Sequence, residues 1–283
     1  MVLAFNTTAS LDLIAAHVSA VQALRASLPR QTLAECGAHA PEGDRESVRK
    51  IMSDDVCGLS RLVGVMMEVS KFQALYGNAT KAHDPRHRNQ SALHFEYGER
   101  REQMVHLRRM VRALEVGSLR KVCEVGFNAG HGTTIWLEGT DVEVVHSFDI
   151  MVDAWSAGAA QLISSLYPGR HVMHAGDSIH AVPAWWRQQR NANTAVPCDL
   201  WYIDGAHVGS RPYQDLVNAL HTSRNGTIVI ADDCTRYWGA VLAGWGKMLL
   251  TEKVRPSGRF PGKAFYMTRG GHGHGFCAGV FVK

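Results

Sequence analysis

From residue 121 onward, apolar residues gather in short unbroken runs separated by longer stretches with helical spacing. KVCEVG (121–126), VEVVHSF (142–148), RHVMHAG (170–176), DLWYIDG (199–205) and TIVIAD (227–232) predict strands covered on both faces. Residues 132–138, 154–166, 180–190 and 213–222 predict the helices between them. Alternation of this kind predicts an α/β fold, a doubly wound and mostly parallel Rossmann-like sheet. The earlier part of the chain reads as helical. Leu11, Ile14, Val18, Val21, Leu24 and Leu28 recur at helical spacing after Ser10, a predicted N-cap. Leu59, Leu62, Val63, Met66 and Val69 predict a second helix, and polar, Pro-containing 78–92 a loop or linker. A third helix over 99–115 places Met104, Leu107, Val111 and Leu114 on one face. Its arginines, Arg100, Arg101, Arg108, Arg109 and Arg112, read as a solvated face rather than an RNA patch.

Composition narrows the class without naming a function. With 283 residues, 46% of them hydrophobic and 20% charged, the chain can bury a large core, which excludes a disordered tail protein. A net charge of +4 is far below the field of a dedicated nucleic-acid binder. No apolar run reaches the roughly 18 residues that span a bilayer, so a membrane is not expected as a partner. The first thirty residues hold Arg25 and Arg30 against Asp12, so an organellar transit segment stays open beside the amphipathic-helix reading. Cysteines 36, 57, 123, 198, 234 and 277 are scattered with no CxxC pair. They predict free thiols in a reducing, cytoplasmic compartment and no disulfides.

The first predicted strand runs into Glu124-Val-Gly126-Phe-Asn128-Ala-Gly130-His131-Gly132 and then a helix. Glycines let a backbone turn sharply and approach a ligand closely, and a helix N-terminus offers unpaired N–H groups. The spacing is Gly-x3-Gly-x-Gly, so the dinucleotide fingerprint GxGxxG fails, and no GK[ST] follows for a phosphate loop. His131, inside this loop, reads as solvent-facing.

Taken with its strand context, this loop resembles the S-adenosylmethionine (SAM) loop of class I methyltransferases. The resemblance implies a seven-stranded methyltransferase sheet and a cofactor held by Glu124, Gly126, Asn128, Gly130 and Gly132. It also implies Asp149 on the ribose hydroxyls, with Asp177 and Ser178 near the adenine. DLWYIDGAH (199–207) and IVIADDC (228–234) resemble the small-molecule O-methyltransferases related to macrocin O-methyltransferase. There the matching Asp204, Asp232 and Asp233 bind a divalent metal, which implies Mg²⁺ here and a small-molecule hydroxyl as substrate. One of the two acids at 232–233 is expected to cap or orient instead of ligating. His207 and Asp204 are the candidate catalytic pair: an imidazole near neutral pKa suits a general base, although local loop shaping accounts for it equally well. Gly209 and Ala206 depart from the family's usual DGxHxY pattern.

Residues 1–95 are expected to form a helical extension, a lid or dimerisation element, and 96–283 the methyltransferase domain, with a homodimer open. The alternatives are a nucleic-acid methyltransferase and a non-catalytic SAM-binding scaffold. The first is disfavoured because the segment after the fourth strand lacks an Asn/Asp-Pro-Pro-aromatic signature. The tryptophans at 136, 185, 186, 201 and 245 are expected in the core, with Trp238 walling the substrate pocket. The HGHG run at 272–275 reads as a hairpin turn.

Overall fold

The computed structural model describes residues 8–27, 59–81, 107–108, 119–153, 155–257, 263–267 and 273–283. They form, in chain order, α1 (Thr8–Ser27), α2 (Leu59–Lys81), β1 (Lys121–Val125), α3 (His131–Leu137), β2 (Val144–Asp149), α4 (Ser156–Leu166), β3 (His171–Ala175) and α5 (Ser178–Asn191). There follow β4 (Leu200–Ile203), α6 (Arg211–His221), β5 (Ile228–Asp232), α7 (Gly239–Leu250), β6 (Val254–Arg255), β7 (Lys263–Met267) and β8 (Gly273–Phe281). Every strand and helix predicted after residue 121 is present. The chain divides into two compact units that interleave along the sequence. One comprises Met1–Ala113, Asn128–Thr140 and Met151–His171, the other Leu114–Phe127, Asp141–Ile150 and Val172–Lys283.

In the first unit, α1 packs on α2 and α4, and α2 on α3. The buried face of α1 is Ile14, His17 and Val21, while Leu11 is exposed. Ser10 lies inside the helix rather than at its cap, because α1 begins at Thr8. Helix α2 runs on through residue 81, so the predicted linker begins later than expected, and residues 82–92 lie outside the described residues. Of the third predicted helix, only Leu107 and Arg108 are described, both helical. Arg108 is not on a solvated face. It is buried and donates through Nη1 to Ile135 O at 3.1 Å and through Nη2 to Glu138 O, meeting carbonyls that the end of α3 leaves without intrahelical partners.

A carboxylate at the same helix end ties four elements together. Glu138, following α3, accepts from Arg25 of α1 (Nη2, 2.6 Å), Arg61 of α2 (Nε, 2.6 Å) and the Tyr167 hydroxyl just past α4 (2.9 Å). Burial alone would raise the Glu138 pKa, but the two guanidinium groups and the phenol hold it below the ordinary value.

In the second unit the strands lie in the order β3-β2-β1-β4-β5-β8-β6, with β7 also on β8. β1, β2, β4 and β5 pair in parallel, and β8 runs antiparallel to β5. β6 and β7 pair with successive parts of β8, so the predicted seven-stranded path carries one extra strand. The unbroken apolar runs of β1, β4 and β5 sit inside the sheet and are buried. β3 ends the order and exposes Val172, so it is not covered on both faces. The core holds Val125, Phe148, Trp185, Trp201, Leu216, Trp245 and Met248, and each large apolar side chain removed from water contributes about 2–3 kcal/mol. Trp136 is buried in the first unit, while Trp186 and Trp238 are only partly buried.

Two sequence expectations are overturned in this unit. The structure pairs Cys123 with Cys198 and Cys234 with Cys277, with Cα separations of 5.9 and 5.5 Å. Cysteines far apart in sequence meet because β1 pairs with β4 and β5 with β8: Cys198 lies just before β4, and Cys234 just after β5. Cys36 and Cys57 lie outside the described residues. The HGHG run is not the turn of a hairpin either. Gly273, His274 and Gly275 already belong to β8, opposite Met267, Tyr266 and Phe265.

Helix α5 shows how the unit absorbs a helix breaker. Pro183 lies inside it and has no N–H for the carbonyl of Ile179 one turn earlier. Asn218 of α6 donates to that oxygen through Nδ2 at 3.3 Å instead.

Candidate active site

The C-terminal ends of parallel strands are where an open α/β sheet presents its loops to ligands. At the end of β1, Gly126 has φ +89°, and a Cβ there would stand 1.9 Å from the Asp204 carbonyl oxygen. The glycine is thus demanded first by the close approach of β1 and β4. Its N–H donates to Phe148 O at 2.9 Å. The next residue, Phe127, donates its backbone N–H to Asp149 Oδ2 at 2.8 Å, so the acid ending β2 holds the glycine-rich loop in place. Glu124 is buried within β1 and accepts from the Ser147 hydroxyl at 2.9 Å, its register partner on β2.

At the end of β3, Asp177 caps α5 by accepting from Ile179 N at 3.1 Å, and Arg211 Nη1 lies 3.0 Å from its Oδ2. Burial pushes the Asp177 pKa up, but that cap and the guanidinium together leave it below its ordinary value. Ser178 donates at 2.7 Å to Asp215 of α6. Asp215 is buried beside Gly205 and is pushed up to about 6: burial dominates, the Ser178 hydroxyl opposes it, and the nearby Asp177 charge adds to it.

The remainder of the glycine-rich loop belongs to the helical unit. Asn128 (φ +51°) and Gly130 (φ +86°) both take the left-handed conformation, and Gly132 lies in the first turn of α3. Asn128 Oδ1 accepts from Trp155 Nε1 at 2.7 Å, which fixes its side chain. His131 does not face solvent: it is buried, with Nε2 2.8 Å from the Ser70 hydroxyl of α2.

At the ends of β4 and β5, ligand atoms of Asp204, His207 and Asp233 all lie within 4.8 Å of one another. His207 Nε2 is 3.3 Å from Asp204 Oδ1 and 3.8 Å from Asp233 Oδ2. This nitrogen is buried and makes no well-formed hydrogen bond among the described residues. Burial alone would lower the imidazole pKa, yet the carboxylates of Asp204, Asp233 and Asp232 together raise it. The ring rests against Trp238, with centroids 4.7 Å apart. Asp233 reaches the cluster by a left-handed turn at φ +51° immediately after β5.

Asp232, the third acid of the sequence prediction, is not in this group. Its Oδ2 accepts from the Tyr202 hydroxyl at 2.7 Å, and the residue is 1% exposed. The contact with Tyr202 has a simple cause. Tyr202 stands opposite Ile230 in the parallel register, and the period-2 pleat returns Asp232 to the face of Ile230. Sequence reasoning missed the Tyr202 partnership and the place of His207 inside the acid cluster. The register of β4 against β5 is the signal that reveals the first. Asp204, His207 and Asp233 offer two oxygens and a nitrogen to one point, a donor set that fits a divalent cation.

Comparison with known proteins agrees with this architecture. Residues 123–234 match the family described as a methyltransferase domain. The fold is shared with an O-methyltransferase from Bacillus cereus in complex with SAH, at 16% identity and a TM-score of 0.53, covering 75% of this chain and 90% of that one. It is shared also with the O-methyltransferase TomG from Streptomyces achromogenes, involved in tomaymycin synthesis and solved with SAM, at 14% identity and a TM-score of 0.52, covering 76% and 90%. Cofactor-bound Rv0187 from MTB aligns at 15% identity and a TM-score of 0.54, covering 85% and 99%. No curated protein matches the sequence.

Proposed function

From the match of residues 123–234 to a methyltransferase-domain family, we propose that this chain is a SAM-dependent O-methyltransferase that acts on a hydroxyl of a small molecule with the help of a divalent cation. The observation that carries the proposal is the cluster of Asp204, His207 and Asp233 at adjoining strand ends, in the same unit as the acids that end β2 and follow β3. When bound, SAM would supply a sulfonium methyl that passes to the hydroxyl oxygen by in-line displacement, the S–CH3 bond breaking to leave the neutral thioether and the hydroxyl proton passing to solvent. A divalent cation, which the sequence resemblance implies to be Mg²⁺, favours the ionised oxygen and fixes its direction.

The chain's own residues have separable tasks. One oxygen of Asp149 holds the loop at Phe127 N, and in the proposal the same carboxylate reads the ribose diol, since a carboxylate accepts more than one hydrogen bond. Asp177 is held by Arg211 and the α5 cap, and Ser178 by Asp215, which presents a pre-ordered edge for the adenine. Asp204 and His207, 3.3 Å apart, orient the substrate oxygen as one unit, and Trp238 gives the cluster an apolar wall. Positioning of this kind, rather than covalent chemistry by the protein, is what a direct methyl transfer asks of a site. The nucleic-acid alternative loses further ground because Arg108, one of the arginines of the basic stretch, is buried.

The test is calorimetry with SAM and transfer of labelled methyl groups to a panel of phenols, sugars and diols, with and without excess EDTA. Binding by the wild type, its loss in Asp149→Ala, and EDTA-sensitive labelling of a hydroxyl compound are expected. Equal SAM affinity in wild type and Asp149→Ala refutes the cofactor assignment, and full transfer in EDTA refutes the cation.

A further inference from the structure

The donor atoms gathered at the ends of β4 and β5 are not the three carboxylates that the sequence leads one to expect. One of those acids is held by the Tyr202 hydroxyl at 2.7 Å, and an imidazole nitrogen takes part in its place. We propose that Asp204, His207 and Asp233 form a two-carboxylate, one-imidazole site that takes a first-row transition ion such as Mn²⁺, Co²⁺ or Zn²⁺ in preference to Mg²⁺. The inference rests on the reading of this domain as a cation-assisted methyltransferase and concerns which cation it selects.

Three observations carry it. First, the donor chemistry is mixed. Mg²⁺ is small, hard and reluctant to give up water, and is held by oxygens, whereas imidazole suits the borderline ions. Second, the spacing fits one ion. Two donors each ~2.1 Å from a metal stand ~3.0 Å apart at a right angle and ~4.2 Å apart when opposed. His207 Nε2 lies 3.3 Å from one carboxylate oxygen and 3.8 Å from the other, inside that span, and all three donor atoms lie within 4.8 Å of one another, close to its upper end. Third, the nitrogen is set up for ligation. It is removed from water without a well-formed hydrogen bond among the described residues, and its ring rests on Trp238 at 4.7 Å. A nitrogen committed to a metal cannot also accept the substrate proton, so ligation replaces the general-base role that the sequence suggests for His207.

The experiment uses the full chain, freed of metal with a chelator and titrated with Mn²⁺, Co²⁺ and Mg²⁺ by equilibrium dialysis, followed by electron spin-echo spectroscopy of the Mn²⁺ form. The expected result is one Mn²⁺ or Co²⁺ per chain, bound at least ~10-fold more tightly than Mg²⁺, with a nitrogen coupling in the Mn²⁺ spectrum. His207→Asn abolishes the coupling and weakens Mn²⁺ at least ~10-fold. His207→Asp restores an all-oxygen set and narrows the Mn²⁺ to Mg²⁺ ratio, which keeps the test decisive if the asparagine variant folds poorly. Equal affinity for Mg²⁺, a Mn²⁺ spectrum without nitrogen coupling, or an unchanged ratio in His207→Asp overturns the proposal. Absence of all cation binding while SAM still binds overturns it together with the cation's part in the reaction. Loss of SAM binding in the wild type is the separate failure of the methyltransferase reading.

Discussion

The acids of the sheet unit differ in what surrounds them more than in where they lie along the sequence. Asp177 meets a guanidinium and a helix cap, Asp232 a phenol, and Asp215 a serine hydroxyl in a buried setting. Asp215 is the one whose ionisation costs the fold something. Its folded pKa, about 6, lies above the unfolded value, so its contribution to stability is complete below about pH 4 and is lost as pH rises through about 6. Asp215→Asn is therefore expected to raise stability over the wild type at pH 8 and to give no gain at pH 4, as read by urea unfolding at the two pH values. The neighbouring pair at 232–233 shows where residue-level reading stops. The sequence places two acids after a strand and expects one of them not to ligate. Tyr202 holds Asp232, and the left-handed turn brings Asp233 beside Asp204 and His207; neither placement is written in the residues themselves.

At the scale of elements, the alternation of apolar runs and helical stretches is enough to place every strand and helix between residues 121 and 232, and it does not reach α7 (Gly239–Leu250). Long-range polar contacts were not visible in it, because periodicity reports which face is buried and says nothing about the partner. Pro183 illustrates the difference: the sequence allows a helix over 180–190, and only the structure shows Asn218 meeting the carbonyl that the proline leaves free. Asn218→Ala is expected to cost about 1–2 kcal/mol. The cost should shrink when combined with Pro183→Ala, whose restored N–H can reach Ile179 O, and a double-mutant cycle by chemical denaturation reads this coupling. In the helical unit, Glu138→Ala leaves Arg25 and Arg61 without their carboxylate. A loss of about 2–4 kcal/mol is expected, toward the low end because both arginines keep some contact with water. The depressed Glu138 pKa means that its stabilisation is present above the ordinary glutamate value and is lost as pH falls through the lower folded one. Thermal unfolding of wild type and Glu138→Ala should consequently converge in acid.

At the scale of the molecule, the cysteines are the largest departure from the sequence reading. Spacing along the chain could not pair residues 75 and 43 positions apart, whereas strand order brings them together. Cross-links closing loops of that length stabilise a fold by roughly 4 kcal/mol each in the chain-entropy model. Mass spectrometry of the unreduced protein should find Cys123 joined to Cys198 and Cys234 to Cys277, and unfolding in dithiothreitol should occur at a distinctly lower denaturant concentration. Methyl transfer should fall with the second bond in particular, since Cys234 adjoins Asp233.

The position of β8 bears on how the protein comes into being on the ribosome. Of all the strands described, it is synthesised last, yet it lies between β5 and β6 rather than at an edge. It also receives the backbone N–H of Cys234 at Gly275 O, 3.1 Å away, and so holds the turn that carries Asp233. A nascent chain can assemble β3-β2-β1-β4-β5 while β8 is still in the exit tunnel, but it does so with the unpaired edge of β5 open to the cell, where unpaired edges invite aggregation. Under the proposed function, the donor site and the cation site therefore mature at different times: the loop after β1 can be ready early, and the turn carrying Asp233 is held only once β8 has been inserted.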